Sequence, residues 1–131
     1  MEALQGLTTL RAPGYSQAVI DEIWLTESPL WLSERVEAHQ AIRDAIFAIV
    51  DSHPAMTGRV TEGGSYLFLH SPVINGRLGA FVGRLRTDEG IVVTRGDVFG
   101  DFPDAVRLNF SQRPDSACEG LHRIGRALDG F

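Results

Sequence analysis

All 12 basic side chains of this 131-residue chain are arginines, scattered from Arg11 to Arg126 without a run. No lysine amine is therefore available here to form an imine with a carbonyl carbon. Arginine offers different chemistry. Its planar, permanently charged fork of N–H donors matches the two oxygens of a carboxylate and fixes both position and orientation. Arg107 stands in Ala105 to Phe110, whose alternation reads as a strand. From position alone it reads as a strand-end arginine paired with Asp101 or Asp104, which are close in sequence. The absence of a basic stripe argues against a nucleic-acid footprint.

The other reactive residue types form weaker patterns. His39, His53, His70 and His122 show no metal-ligand spacing with carboxylates or cysteine, so each reads as a surface or satisfied histidine and no metal site is expected. Cys118, the single cysteine, cannot form an internal disulfide and reads as a packing residue on a helix. Gly96 and Gly100 bracket a loop without the Lys-Ser/Thr of a phosphate-binding loop, so a turn is expected. Trp24 and Trp31, with Phe47, read as core or interface anchors. Arg11 reads as a solvated arginine rather than a phosphate ligand. Met1 to Leu10 lacks a basic start followed by a long apolar stretch, and nowhere do enough apolar residues run together to span a membrane. A cytoplasmic location is expected, with no membrane and no nucleic acid among the partners.

These residues need a scaffold. A content of 44% hydrophobic and 22% charged residues is ordinary for a globular domain, so the fold must be read from pattern. Met1 to Gly14 reads as an edge piece ending in the turn Ala12-Pro13-Gly14. A helix follows, with Val19, Ile20, Ile23 and Trp24 on one face, Ser16 as its cap and a stop near Thr26. Ser28-Pro29 restarts a helix, and Leu32, Val36, Ile42, Ala45, Ile46 and Ile49 carry it to about Asp51. Strands are expected at Gly58 to Thr61 and Tyr66 to Leu69, then a helix bearing Leu78, Phe81, Val82 and Leu85. Ile91-Val92-Val93 reads as a buried strand, and the helix that begins near Pro114 faces inward through Ala117, Leu121, Ile124 and Leu128. The order α-α-β-β-α-β-β-α implies an α/β chain, more narrowly an α+β small domain: a long linking helix followed by a small sheet covered by helices.

Several stretches, in this order and spacing, resemble one family. Ser16-Gln17-Ala18, Trp31-Leu32 with Arg35, and Ile42-Arg43-Asp44 resemble the helix leaving the large domain of fold-type I, pyridoxal-phosphate-dependent aminotransferases of class I/II. Gly63-Gly64-Ser65-Tyr66-Leu67-Phe68 resembles the glycine-pair strand that opens their small domain. The run from Gly90 through Val93 to Gly100 resembles the next strand and loop, and Val106-Arg107-Leu108-Asn109-Phe110-Ser111 resembles their last strand. One departure is Arg95, where the family usually has Pro before the loop glycine.

The resemblance covers about the C-terminal third of such an enzyme, beginning downstream of its cofactor-binding lysine. It implies residues 1–29 as a remnant of the large-domain boundary with one helix, and residues 30–131 as an aminotransferase-like C-terminal small domain. By resemblance, Arg107 binds the α-carboxylate of the amino-acid substrate. No catalytic, cofactor-binding or metal residue is expected in this chain. Pyridoxal 5'-phosphate is expected in the complete enzyme, held by an N-terminal portion or subunit. The alternative is a stand-alone, non-catalytic module that kept the small-domain fold to bind an amino acid or a protein, and an unrelated α+β interaction domain is a third reading. The face of Val19, Ile20, Ile23 and Trp24 belongs in the family to the large-domain boundary. Left uncovered it would form an apolar patch, so a homo-oligomer or hetero-oligomer is expected.

Overall fold

Pro13 sets the first described turn. The structure, a computed structural model, describes residues 13–24 and 29–131. Arg11, most of the expected edge piece, the Thr26 stop and the Ser28 cap lie outside the described residues. The chain divides into two units between Ala38 and His39, each taken by itself below.

In the first unit, α1 spans Gly14–Val19 and continues as a π turn over Ile20–Trp24. Ser16 is not its cap: the Pro13 carbonyl accepts from the Gln17 N–H at 3.2 Å, so the helix starts earlier and Ser16 lies inside it. Helix α2, Pro29–Ser52, begins with proline at a position where the missing N–H had no helical partner. Val19, Ile20 and Trp24, and on α2 Trp31, Leu32 and Val36, are exposed. The Trp24 and Trp31 rings meet edge to face with centroids 5.8 Å apart, a favoured aromatic geometry.

In the second unit the remainder of α2 turns Ile42, Ile46, Phe47 and Val50 inward at helical spacing. The strands are β1 (Thr57–Gly58), β2 (Tyr66–His70), β3 (Thr94–Arg95) and β4 (Ala105–Asn109). They form one antiparallel sheet in the order β1-β2-β4-β3, which places β2 and β4 at its centre. Helix α3 spans Leu78–Thr87 and α4 spans Pro114–Asp129. Leu67, Leu69 and Val106 from the sheet join Phe81, Leu85, Leu121, Ile124 and Leu128 from these helices in one core. At Gly125 an added Cβ would lie 2.9 Å from the His53 ring and 3.1 Å from the Met56 methyl, so α4 approaches the end of α2 closely only because this residue has no side chain. The architecture is the one expected: a long helix, a small sheet and covering helices.

Strand bounds differ from expectation: β2 runs one residue further, to His70, and β4 ends at Asn109 rather than Phe110. β1 stops at Gly58 rather than Thr61. Ile91-Val92-Val93 is not a strand: Gly90 takes a positive φ of 61°, and the Ile91 N–H turns back to the Leu85 carbonyl at 2.9 Å. That donor is committed to the end of α3, and sheet pairing starts only at Thr94, leaving Val92 83% exposed. Among the described residues no helix is long and apolar enough to cross a membrane.

Candidate functional site on the open sheet face

Alternation along the central strands separates two faces. Leu67 and Leu69 of β2 point to the helices, which leaves Tyr66, Phe68 and His70 on the other side. Register then adds Arg107 of β4, whose partners are Phe68 on β2 and Thr94 on β3. A loop from Gly96 to Asp104 folds over this face. Its Phe99 and Phe102 rings meet Phe68 edge on, with centroids 6.0 and 5.1 Å away. The His70 ring lies 5.3 Å from Phe68 and 6.1 Å from Phe102.

Arg107 is half-buried, and its guanidinium carbon lies 4.5 Å from the centre of the Tyr66 ring and 4.6 Å from that of Phe99. Both distances are within cation–π reach. The structural pairing with Asp101 or Asp104 does not occur. Asp104 instead lies 3.3 Å from His70 Nδ1, and among the described residues no acid forms an ion pair with Arg107. Rings in place of an acid leave the N–H edge of the fork uncommitted, which is the arrangement a ligand carboxylate needs.

The loop is anchored at both ends. The Ser71 N–H donates to the Asp104 carbonyl at 2.9 Å. At the other end Gly96 is buried, and a Cβ there would lie 2.7 Å from the Ala105 carbonyl oxygen and 2.8 Å from that of Phe102. Only glycine fits so close to two backbone oxygens. Arg95 donates from Nε to Asp97 at 3.0 Å and makes a second contact with the same carboxylate. This hydrogen bond holds the Asp97 carboxyl below the usual carboxylate range. The position that departs from the family pattern thus closes a two-point ion pair across the first turn of the loop.

Two clefts flank the sheet, and Arg107 lines neither. One, of about 660 Å³, lies on the open side between the segment from Thr57 to Glu62 and the side chains of Phe68 and His70. The other, of about 440 Å³, lies on the helix side among Ile91, Val93, Leu108 and Ile124. Among the described residues no group of His, Cys, Asp and Glu could hold a metal. His53 accepts from the Ala55 N–H at 3.2 Å and meets Asp129 at 3.4 Å, a structural setting at the end of α2. Cys118 is half-buried against the core, and Phe47 lies within it. Gly96 opens a short 3-10 turn, as expected of that loop.

No protein-family model and no curated protein matches the sequence. Solved structures do. An aspartate aminotransferase from Rhodobacter sphaeroides is 38% identical over 98% of this chain and 33% of its own, with a TM-score of 0.86. This chain resembles one third of an aminotransferase. LysN, the α-aminoadipate aminotransferase of Thermus thermophilus, is 25% identical over 98% of this chain and 34% of its own, at a TM-score of 0.73. The aspartate aminotransferase of Rhizobium meliloti, at 24% identity, 97% and 34% coverage and a TM-score of 0.79, adds agreement in fold. The chain spans about a third of the length of each of these enzymes. Arg107 lies on a central strand of the small sheet, the place the resemblance implied and not one outside the sheet that an unrelated domain would favour.

Arg107 is marked in the sequence by the likeness of its strand to an aminotransferase's, whereas its ring neighbours Tyr66 and Phe99 are not marked as such. The signal for Tyr66 was present as the period-two alternation of Tyr66, Phe68 and His70. Phe99 left none, because a loop has no period.

Proposed function

We propose that this chain is the C-terminal part of a pyridoxal-phosphate-dependent aminotransferase acting on an amino acid, in which Arg107 binds the substrate α-carboxylate and the lysine comes from another portion or chain. One observation carries the reading. A half-buried arginine on a central strand of the sheet has aromatic neighbours and, among the described residues, no acid partner, in a chain 38% identical to the matched third of an aspartate aminotransferase. A carboxylate approaching the N–H edge can take two parallel hydrogen bonds, which orient the amino acid as well as bind it. The surrounding rings thin the water around that pair and strengthen it.

The cofactor does not fit this chain's residues alone. The 131 residues include no lysine to hold it as an imine, and Arg107 and His70 on the open face lie among aromatic rings. Cofactor chemistry therefore belongs to the portion outside these residues.

A chimera tests the proposal: the matched third of the Rhodobacter sphaeroides enzyme is replaced by this chain, and transamination is followed with saturating cofactor. Activity is expected, and Arg107→Ala should lower kcat/KM at least about thirtyfold, as for removal of one partner of a desolvated charge pair. A folded, cofactor-loaded chimera indifferent to Arg107→Ala would sink the assignment. An inactive chimera, together with amino-acid binding by the chain alone, would favour a non-catalytic module.

A further inference from the structure

Half-buried charges are ordinarily paired with an opposite charge or hydrogen-bonded in place. Arg107 is held differently. A guanidinium has two flat faces, which pack on aromatic rings, and an edge of N–H donors, which binds oxygen. Tyr66 and Phe99 approach at 4.5 and 4.6 Å, and neither ring supplies a carboxylate that would occupy the edge.

The two rings arrive by different routes. Tyr66 belongs to β2 and is fixed by the ladder that pairs it with Asn109. Phe99 has no ladder. It follows the turn at Gly96, its N–H donates to the Gly96 carbonyl at 2.9 Å, and its ring rests on Phe68. The close approach of Gly96 and the Arg95–Asp97 pair hold that turn to the sheet edge. The loop therefore delivers one ring to Arg107.

We infer that Phe99 is a positioning residue: its ring holds the Arg107 guanidinium in the orientation that leaves the N–H edge open to a ligand carboxylate. This rests on the reading of Arg107 as a carboxylate-binding residue. The physical reason is preorganisation, since a long side chain already ordered by packing loses less freedom when its ligand binds. Leucine at position 99 would keep apolar volume but remove the aromatic face.

The test uses the full 131-residue chain with acetate as the probe and chloride at equal ionic strength as the control. NMR of the Arg107 Nε–Hε group reads both its order and its response to acetate. In Phe99→Leu, acetate affinity at Arg107 should fall roughly three- to tenfold and the Nε–Hε order should drop. Phe99→Tyr, which restores a ring, should recover both. Both variants should stay folded, with at most a small fall in thermal midpoint, because Phe99 is 46% exposed. If acetate leaves Arg107 unperturbed in the unmodified chain, the reading of Arg107 falls and the inference with it. If acetate binds at Arg107 equally well in Phe99→Leu, with the side chain equally ordered, the inference alone is overturned.

Discussion

A guanidinium packed on Tyr66 and Phe99 presents a fork; an ammonium in its place would have no flat face to pack and no paired donors to offer. Arg107→Lys is therefore expected to fold normally yet lose most carboxylate binding, at least about tenfold. Titration of the purified variant with acetate, beside its unfolding curve, checks both halves. Retained affinity in the lysine variant would mean that charge alone suffices. At this scale the arginine was singled out by the resemblance of Val106 to Ser111 to an aminotransferase's last strand, since position alone suggested a pair with Asp101 or Asp104. Its neighbours were not, because Tyr66 reaches Arg107 through strand register and Phe99 through a loop. Neither relation is local in sequence.

Among the elements, the loop from Gly96 to Asp104 is held by contacts that admit little substitution. Gly96→Ala would drive a methyl against two carbonyl oxygens, and overpacking of this kind costs roughly 1–3 kcal/mol. Urea unfolding should show that loss, accompanied by a shift in the Arg107 Nε–Hε signal as Phe99 is displaced. The Arg95–Asp97 pair adds a pH dependence. Folded Asp97 titrates below its ordinary value of 3.8, so the pair contributes fully above that value and is lost as pH falls through the lower folded one. Solvent exposure keeps the effect small. Hydrogen-exchange protection at Phe99 should therefore decline at acid pH in the native chain, and Asp97→Asn should remove that dependence. Helices were the most legible elements, since Leu85 and Ile124 announce their faces by spacing and are fully buried. Leu85→Ala should cost roughly 2–5 kcal/mol in the same unfolding assay. The short apolar run Ile91-Val92-Val93 misled because periodicity cannot separate a strand from a turn that caps a helix. The Ile91 N–H decides it by returning to Leu85.

For the molecule as a whole, the exposed apolar side chains of the first unit matter most. Val19, Ile20, Trp24, Trp31, Leu32 and Val36 are all exposed on a chain that spans about a third of the aminotransferases it resembles. Apolar surface of this kind favours association. Sedimentation at rising concentration should give masses above the 14.4 kDa of one chain, and Trp24→Ser with Trp31→Ser should shift the distribution toward monomer. A single monomeric species at high concentration would count against it. The expected fold was recoverable from order and spacing along the chain. The partner that would complete a site was not, because no residue here names it.

The Trp24–Trp31 contact also has an optical consequence. These are the chain's two tryptophans, both on the N-terminal side of His39, while the sheet, α3 and α4 contain none. Intrinsic emission excited at the indole band thus reports the first unit alone, and far-ultraviolet circular dichroism is weighted toward the second. Melting followed by both signals would show whether the two units unfold together. A blue-shifted emission on adding a candidate partner would show those indoles leaving water without any introduced label.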